Sequence, residues 1–284
     1  MKKNCQNRRA TAHPMHPRRR RIGLSLDLAE ARRLFSLSVD DKERMEDKNE
    51  IDTIINNIEC KRLSKGTLVH YMKRLVQMSK HRENIADIIC TYDGFWLMYE
   101  PMYCTADNGV LTHTVWTLLR NMSTFEETRN KLLNNNIVWK IVYFMKDESI
   151  FVDHILQTLW CEILQNLSAG YRYCSYISSK GGIQALLHIM PKYPDAVALQ
   201  KVGCLLLHNL CHRLADDSDS QILDIDRIRE IVATNGIAIV EAAGFTFVTP
   251  IRFAADDNTR ATHYNLLSLL RYRKDADEIA GIWR

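Results

Sequence analysis

The sequence predicts an all-α solenoid of stacked helical repeats, and three observations carry that prediction. The first is a phrase said four times: Leu75-Val76-Gln77-Met78-Ser79, Leu119-Arg120-Asn121-Met122-Ser123, Leu164-Gln165-Asn166-Leu167-Ser168 and Leu207-His208-Asn209-Leu210-Cys211. Its amide residues Gln77, Asn121, Asn166 and Asn209 stand 44, 45 and 43 residues apart, inside the period of roughly 40–47 residues that marks helical repeat arrays. The second is a ladder of corners, Gly94-Phe95, Asn136-Ile137, Gly182-Ile183 and Gly236-Ile237. Gly and Asn tolerate positive φ, which a sharp helix-to-helix corner needs. The third is apolar content of 46% against 25% charge, enough to give every repeat a buried face.

Each repeat reads as short helix, sharp turn, second helix, loop, long third helix. Residues 171–212 show it best. Arg172–Ser178 is the short helix, Gly181-Gly182 the corner and Ile183–Met190 the second helix. Pro191 and Pro194 bracket a loop, because proline cannot continue a helix interior, and Ala196–His212 is the long third helix. Apolar pairs precede the corners elsewhere: Ile88 and Ile89, Leu132 and Leu133, Ile231 and Val232. Upstream, Ile51, Ile54, Ile55 and Ile58 fall at i, i+3, i+4 and i+7 and open a first, partial repeat. Downstream the pattern loosens. Asp216-Asp217-Ser218-Asp219-Ser220 is an acidic loop inserted after a third helix, Gly244–Asn258 with Pro250 interrupts the next repeat, and His263–Tyr272 resumes the helical stripe. Arg284 falls just inside what reads as the following short helix.

The N-terminal part differs in kind. Residues 1–21 hold eight basic side chains and no acid. The whole chain is +4, so everything after the arm carries −4. Residues 1–23 read as a disordered basic arm, since nothing there builds a core. Residues 24–50 read as an amphipathic helix (Leu24, Leu28, Ala31, Leu34, Phe35) and a charged linker, and residues 51–284 as the repeat domain.

The segment Gly181-Gly182-Ile183-Gln184-Ala185-Leu186-Leu187, followed by Val202-Gly203-Cys204 and His208-Asn209-Leu210-Cys211, resembles one repeat of the armadillo-repeat family. The resemblance spans about residues 51–284 and is most specific over 83–212. It implies a right-handed superhelix of about four to five three-helix repeats, whose third helices line a concave groove. It also implies that the third-helix Asn grips the backbone of an extended peptide. The HEAT repeat, of similar length but usually with two helices, is the close alternative. Nuclear-import adaptors of the armadillo family carry a Trp four residues before the Asn. Here those positions are Thr117, Glu162 and Leu205, so the tryptophan array that clamps lysine stems is missing. Tyr272 stands where a further Asn is expected.

The amide ladder has two readings. Each amide donates and accepts, so Asn121, Asn166, Asn209 and Gln77 can bond the backbone of an extended partner. Arg120, Gln165 and His208 beside them, and Thr117, Glu162 and Leu205 one turn earlier, then set specificity. Alternatively the amides satisfy polar groups within the solenoid. Arg18-Arg19-Arg20-Arg21 reads as a nuclear localisation signal, an arm for nucleic acid, or a soluble tail; the prolines Pro14 and Pro17 disfavour a mitochondrial presequence. Cys204, His208 and Cys211 lie at i, i+4 and i+7 with His212 beside them, a spacing that suits zinc but equally a buried stripe, and no second ligand pair follows. Trp96, Trp116, Trp139 and Trp160 read as core rings. The eight cysteines have no C-x-x-C spacing and read as reduced thiols of a cytoplasmic or nuclear protein. No apolar run reaches the ~18 residues a membrane span needs. No phosphate loop, H-E-x-x-H or G-x-S-x-G appears, so neither catalysis, cofactor nor metal is expected. The expected role is a non-enzymatic scaffold for a protein or peptide partner. A transport-adaptor-like role, or a nucleic-acid-associated role through the arm, is the alternative.

Overall fold

A computed structural model describes residues 39–60, 63–80, 109–147, 153–169, 171–214, 221–248 and 257–279. The chain divides into two compact units, Met1–Glu43 and Arg44–Arg284, and the second holds the repeats. Expectations for the basic arm, the Leu24–Phe35 stripe, Gly94, Trp96, the Asp216–Ser220 loop and Arg284 fall outside the described residues.

Twelve helices are followed among these residues. They are α1 Val39–Cys60, α2 Lys65–Met78, α3 Gly109–Ser123, α4 Glu126–Asn134, α5 Ile137–Lys146, α6 His154–Ser168, α7 Cys174–Ser179, α8 Gly182–Ile189, α9 Val197–Leu210, α10 Ile225–Ala233, α11 Gly236–Val248 and α12 Asp257–Ile279. The charged stretch from Asp40 and the isoleucine stripe thus share one continuous helix, α1. Ile51, Ile54 and Ile55 on it are buried, and Ile58 packs against the same core.

The long helices α2, α3, α6, α9 and α12 pack successively side by side, while the second helices α5 and α8 pack on each other outside them. The described triplets α4–α5–α6 and α7–α8–α9 are three-helix repeats of the expected plan. Local chemistry sets their ends. Ser64, Asp153 and Asp224 cap α2, α6 and α10 by accepting the N–H groups of Thr67, Leu156 and Arg227, which satisfies donors the first turn leaves unpaired.

The corners lie where the sequence puts them, but the left-handed residue is one position earlier in two of three. It is Asn136 (φ 56°), Gly181 (φ 84°) and Asn235 (φ 63°). Gly182 and Gly236 are instead the first residues of their helices, and contact rather than φ demands them. A Cβ on Gly182 would lie 2.6 Å from Ile177 Cγ2 and 2.9 Å from the Ile177 carbonyl oxygen. On Gly236 it would lie 2.4 and 2.5 Å from the same atoms of Ile231.

Two further expectations are corrected. The third helix ending at His212 stops at Leu210. His212–Leu214 instead forms an antiparallel pair with Gln221–Leu223, with His212 opposite Leu223. The backbone of Cys211 closes this pair, its carbonyl accepting the Asp224 N–H at 2.8 Å. Within the interruption expected over 244–258, the helix continues past Gly244. α11 runs through it to Val248, and the missing side chain admits the His263 ring of α12, which would sit 2.5 Å from a Cβ there.

The core between the helix layers includes Trp116, Phe144 and Trp160, all buried. Trp116 meets Trp160 edge-on at 5.5 Å, and Phe144 stacks on Trp160 at 5.7 Å. These rings tie α3, α5 and α6 together by area and by favourable ring geometry. Trp139 departs from the expected core role. It is 52% exposed and stacks on the equally exposed Tyr143 at 5.6 Å, because it lies on the side of α5 opposite Val138, Ile141 and Val142, which take the buried side.

Candidate functional site: the third-helix ladder

The amides of the repeated phrase form a ladder linking neighbouring third helices. Asn121 Nδ2 on α3 donates to Ser79 Oγ just past α2 at 2.9 Å, and more weakly to the Val76 carbonyl at 3.4 Å. Asn166 Nδ2 on α6 donates to Ser123 Oγ at 2.9 Å, and Asn209 Nδ2 on α9 to Ser168 Oγ at 3.0 Å. Each of these serines is fully buried. Each also donates its own hydroxyl hydrogen three residues back, to the carbonyls of Val76, Arg120 and Gln165 at 2.8, 2.7 and 2.8 Å. The hydroxyl is therefore oriented, and its lone pairs face the incoming amide. The identical arrangement occurs at three successive junctions, and Cys211 takes the serine position at the fourth.

The serine takes one N–H bond of each Asn side chain; on Asn121 the same nitrogen also reaches the Val76 carbonyl at 3.4 Å, and its oxygen accepts from Arg120 Nη1 at 3.4 Å. All three Asn side chains are half-buried. The structural reading of the ladder thus has concrete partners, namely serine hydroxyls of the preceding repeat. On Asn166 the remaining donor and oxygen are what a ligand backbone can use; on Asn121 a ligand would displace the weak 3.4 Å contacts to Val76 and Arg120, and on Asn209 it would compete with a hydrogen bond to His208. The serines sit inside the quoted phrase, two residues after each amide. That periodic pairing was the signal available for them.

The other expected site residues lie on the same helices. Gln77 is exposed at the end of α2 and accepts from Arg74 Nη1 at 3.4 Å. Arg120 and Glu162, one on each of α3 and α6, are joined Nε to Oε2 at 3.0 Å. Next to them His113 on α3 reaches the Asp153 carboxylate at the start of α6, its Nε2 lying 3.1 Å from Oδ2, while Nδ1 meets the Gly109 carbonyl at 2.8 Å. Burial raises the Asp153 pKa, but the Leu156 N–H and the His113 ring outweigh it and hold the carboxyl below the ordinary aspartate range. Between α2 and α3 opens a mostly apolar trough of about 670 Å³ walled by Lys73, Val76, Gln77, Val110, Thr114 and Thr117. Val110 is 61% exposed, and Ile155, at the matching position of α6, is 53% exposed. Neither could be told from a core residue by its type. Arg18 to Arg21 lie outside the described residues.

Cys204 and Cys211 are buried, and burial pushes both thiols up to about 12. His212 Nδ1 meets the His208 carbonyl at 2.8 Å, and among the described residues no three His, Cys, Asp or Glu side chains are grouped to hold a metal ion. Among the same residues no helix is long and apolar enough to cross a membrane.

The sequence matches no protein-family model and no curated protein. Solved structures do resemble it. One is a designed armadillo repeat protein in complex with the peptide (KR)4, 9% identical, covering 87% of this chain and 95% of its own at a TM-score of 0.60. Another designed armadillo repeat protein is 10% identical over 77% of this chain and 98% of its own, with a TM-score of 0.50. An engineered protein is 11% identical over 87% and 100%, with a TM-score of 0.57. At such identities the likeness concerns the fold alone, and that fold is an armadillo-like helical repeat.

Proposed function

We propose that this chain is a non-enzymatic protein-binding scaffold whose third-helix face takes an extended segment of a partner protein. The observation that supports this most is the repetition itself. Three consecutive third helices carry one half-buried amide each, and each donates to the corresponding serine of the preceding repeat. One amide per repeat suits one stretch of peptide backbone, and backbone contact supplies affinity with little sequence demand. A designed protein of the same fold, in complex with the peptide (KR)4, is consistent with that use.

Site-specific photo-crosslinking tests the reading. A benzophenone side chain at Gln77 or Gln165, on the ladder face, should capture a native partner, whereas one at the exposed Trp139 should not. Crosslinks confined to Trp139 would move the binding surface to the second helices. Separately, the unbroken Arg18–Arg21 run beside Pro17 supports nuclear entry. Residues 1–25 fused to a fluorescent reporter should accumulate in nuclei; an even distribution, or delivery to mitochondria, rejects it.

A further inference from the structure

We infer that the segment this face takes is acidic, with an apolar residue for the trough between α2 and α3. The inference rests on the reading of the third-helix face as a peptide site. It starts from a segregation of charge. Across α2, α3, α6 and α9 the cations are Lys65, Lys73, Arg74, Arg120 and Lys201, and the sole carboxylate is Glu162. The chain beyond the basic arm is net acidic, so these four helices carry the opposite sign from the rest of it, while α12 is balanced, with four basic and four acidic residues.

Among the described residues, the carboxylates Glu50, Asp153 and Glu162 on or beside α2, α3 and α6 are engaged. Glu162 is bound to Arg120 at 3.0 Å. Asp153 accepts the Leu156 N–H at 2.8 Å and meets His113. Glu50 on α1 holds Arg74 through two bonds of 2.7 and 2.8 Å, and that pairing lowers the Glu50 pKa. A basic peptide such as (KR)4 would therefore have to break existing ion pairs to find partners here. An acidic one meets Lys73, which is exposed beside the trough. Complementary potentials of this kind set partner choice and association rate more than raw affinity. Val76 and Val110 in the trough, and exposed Ile155 one repeat on, offer apolar contacts between the charges.

A nucleic-acid strand is also a polyanion, but sequence-tolerant strand binding relies on exposed aromatic platforms. On α3 and α6 the tryptophans Trp116 and Trp160 are fully buried, and the exposed aromatics of the long helices, Tyr264 and Tyr272, stand on α12, away from the trough and Lys73.

Fluorescence anisotropy on the full chain tests this, using a short labelled peptide of Asp and Glu with one central Leu, the peptide (KR)4, and labelled oligothymidylate. The acidic peptide should bind in preference to (KR)4. It should still bind when Arg18 to Arg21 are replaced by Ala, and should weaken roughly tenfold in K73E/K201E, with an unchanged melting temperature. Should the reversal variant not fold, K73Q/K201Q gives the same direction with a smaller loss. Preference for (KR)4 overturns the charge assignment and leaves the peptide-site reading standing. Acidic binding that ignores K73E/K201E and vanishes with the arm substitutions overturns it in favour of the arm. Oligothymidylate displacing the peptide in a Lys73- and Lys201-dependent way overturns it in favour of nucleic acid. If neither peptide binds and Gln77 and Gln165 also fail to crosslink, both the inference and the peptide-site reading fall.

Discussion

The bond between Asn166 and Ser123 is the best place to test how these repeats hold together. Asn166→Ala removes the donor at 2.9 Å but leaves Ser123 Oγ its donated bond to the Arg120 carbonyl at 2.7 Å. The buried hydroxyl is then half-satisfied rather than orphaned, so the cost should be ~1 kcal/mol, the net value of one hydrogen bond. Ser123→Ala removes both bonds. It frees the half-buried Asn166 amide to turn to water, so its cost should be similar and not twice as large. Because the two residues share one bond, the double variant should lose less than the two single losses together, by a coupling of ~0.5–1.5 kcal/mol. In a domain of this size that is a few degrees of melting temperature, at ~2–4 °C per kcal/mol. Urea unfolding followed by far-ultraviolet circular dichroism measures it, with an unchanged denaturant slope showing that the folded state is intact. Additive losses would refute the latch as a source of stability. The same variants separate two roles. Capture of the acidic peptide that survives Ser123→Ala but not Asn166→Ala assigns the amide to the ligand; capture that survives both leaves it structural.

Three other predictions follow from particular contacts. Gly181→Ala should cost ~1–2 kcal/mol from its left-handed φ of 84° alone, the nearby Lys146 Nζ being able to swing away. Gly182→Ala should cost ~1–3 kcal/mol because the Ile177 backbone cannot; an unchanged melting temperature for Gly182→Ala would remove the contact argument. Asp277, fully buried on α12, accepts two bonds from Arg229 on α10 at 2.9 and 3.1 Å and also pairs with Arg273. Asp277→Ala removes the shared partner of two part-exposed guanidiniums, of which Arg229 keeps Asp226 at 3.7 Å, and should cost ~1–3 kcal/mol, against less than ~1 kcal/mol for the exposed Lys274–Glu278 pair; equal losses in thermal melts would contradict this. Finally, the folded-state pKa of Asp153 is depressed. Its contribution is therefore fully present above the unfolded value of ~3.9 and is lost as pH falls through the folded value. Asp153→Asn should flatten that acid limb of the stability profile, and a limb of unchanged steepness would show that other carboxyls produce it.

The period of the amides, the proline bracket around residues 191–194 and the Gly/Asn corners were enough to place α2, α3, α6 and α9 and the turns between them. Those features are local: a helix stripe, a capping side chain and a left-handed residue are each written within a few positions. The latch serines were equally visible, two residues after each amide, yet their role depends on a partner 41 to 43 residues away, and only the stacking of third helices makes that neighbour adjacent. The same limit explains the corrections. Trp139 and Trp160 are the same residue type, and what separates them is which side of a helix meets the next layer. Gly182 and Gly244 look like breakers, yet both admit a close neighbour, Ile177 from five residues back and His263 from another helix. His212 continued a helical stripe until the returning strand Gln221–Leu223 paired with it. The sequence by itself determined the helices, their order and the period of their faces, because those follow from each residue's own conformational and hydrophobic preferences. The tertiary structure decided which polar groups pair across repeats, which apolar residues face water, and which carboxylates meet which guanidiniums, because those depend on distances between segments that no local pattern encodes.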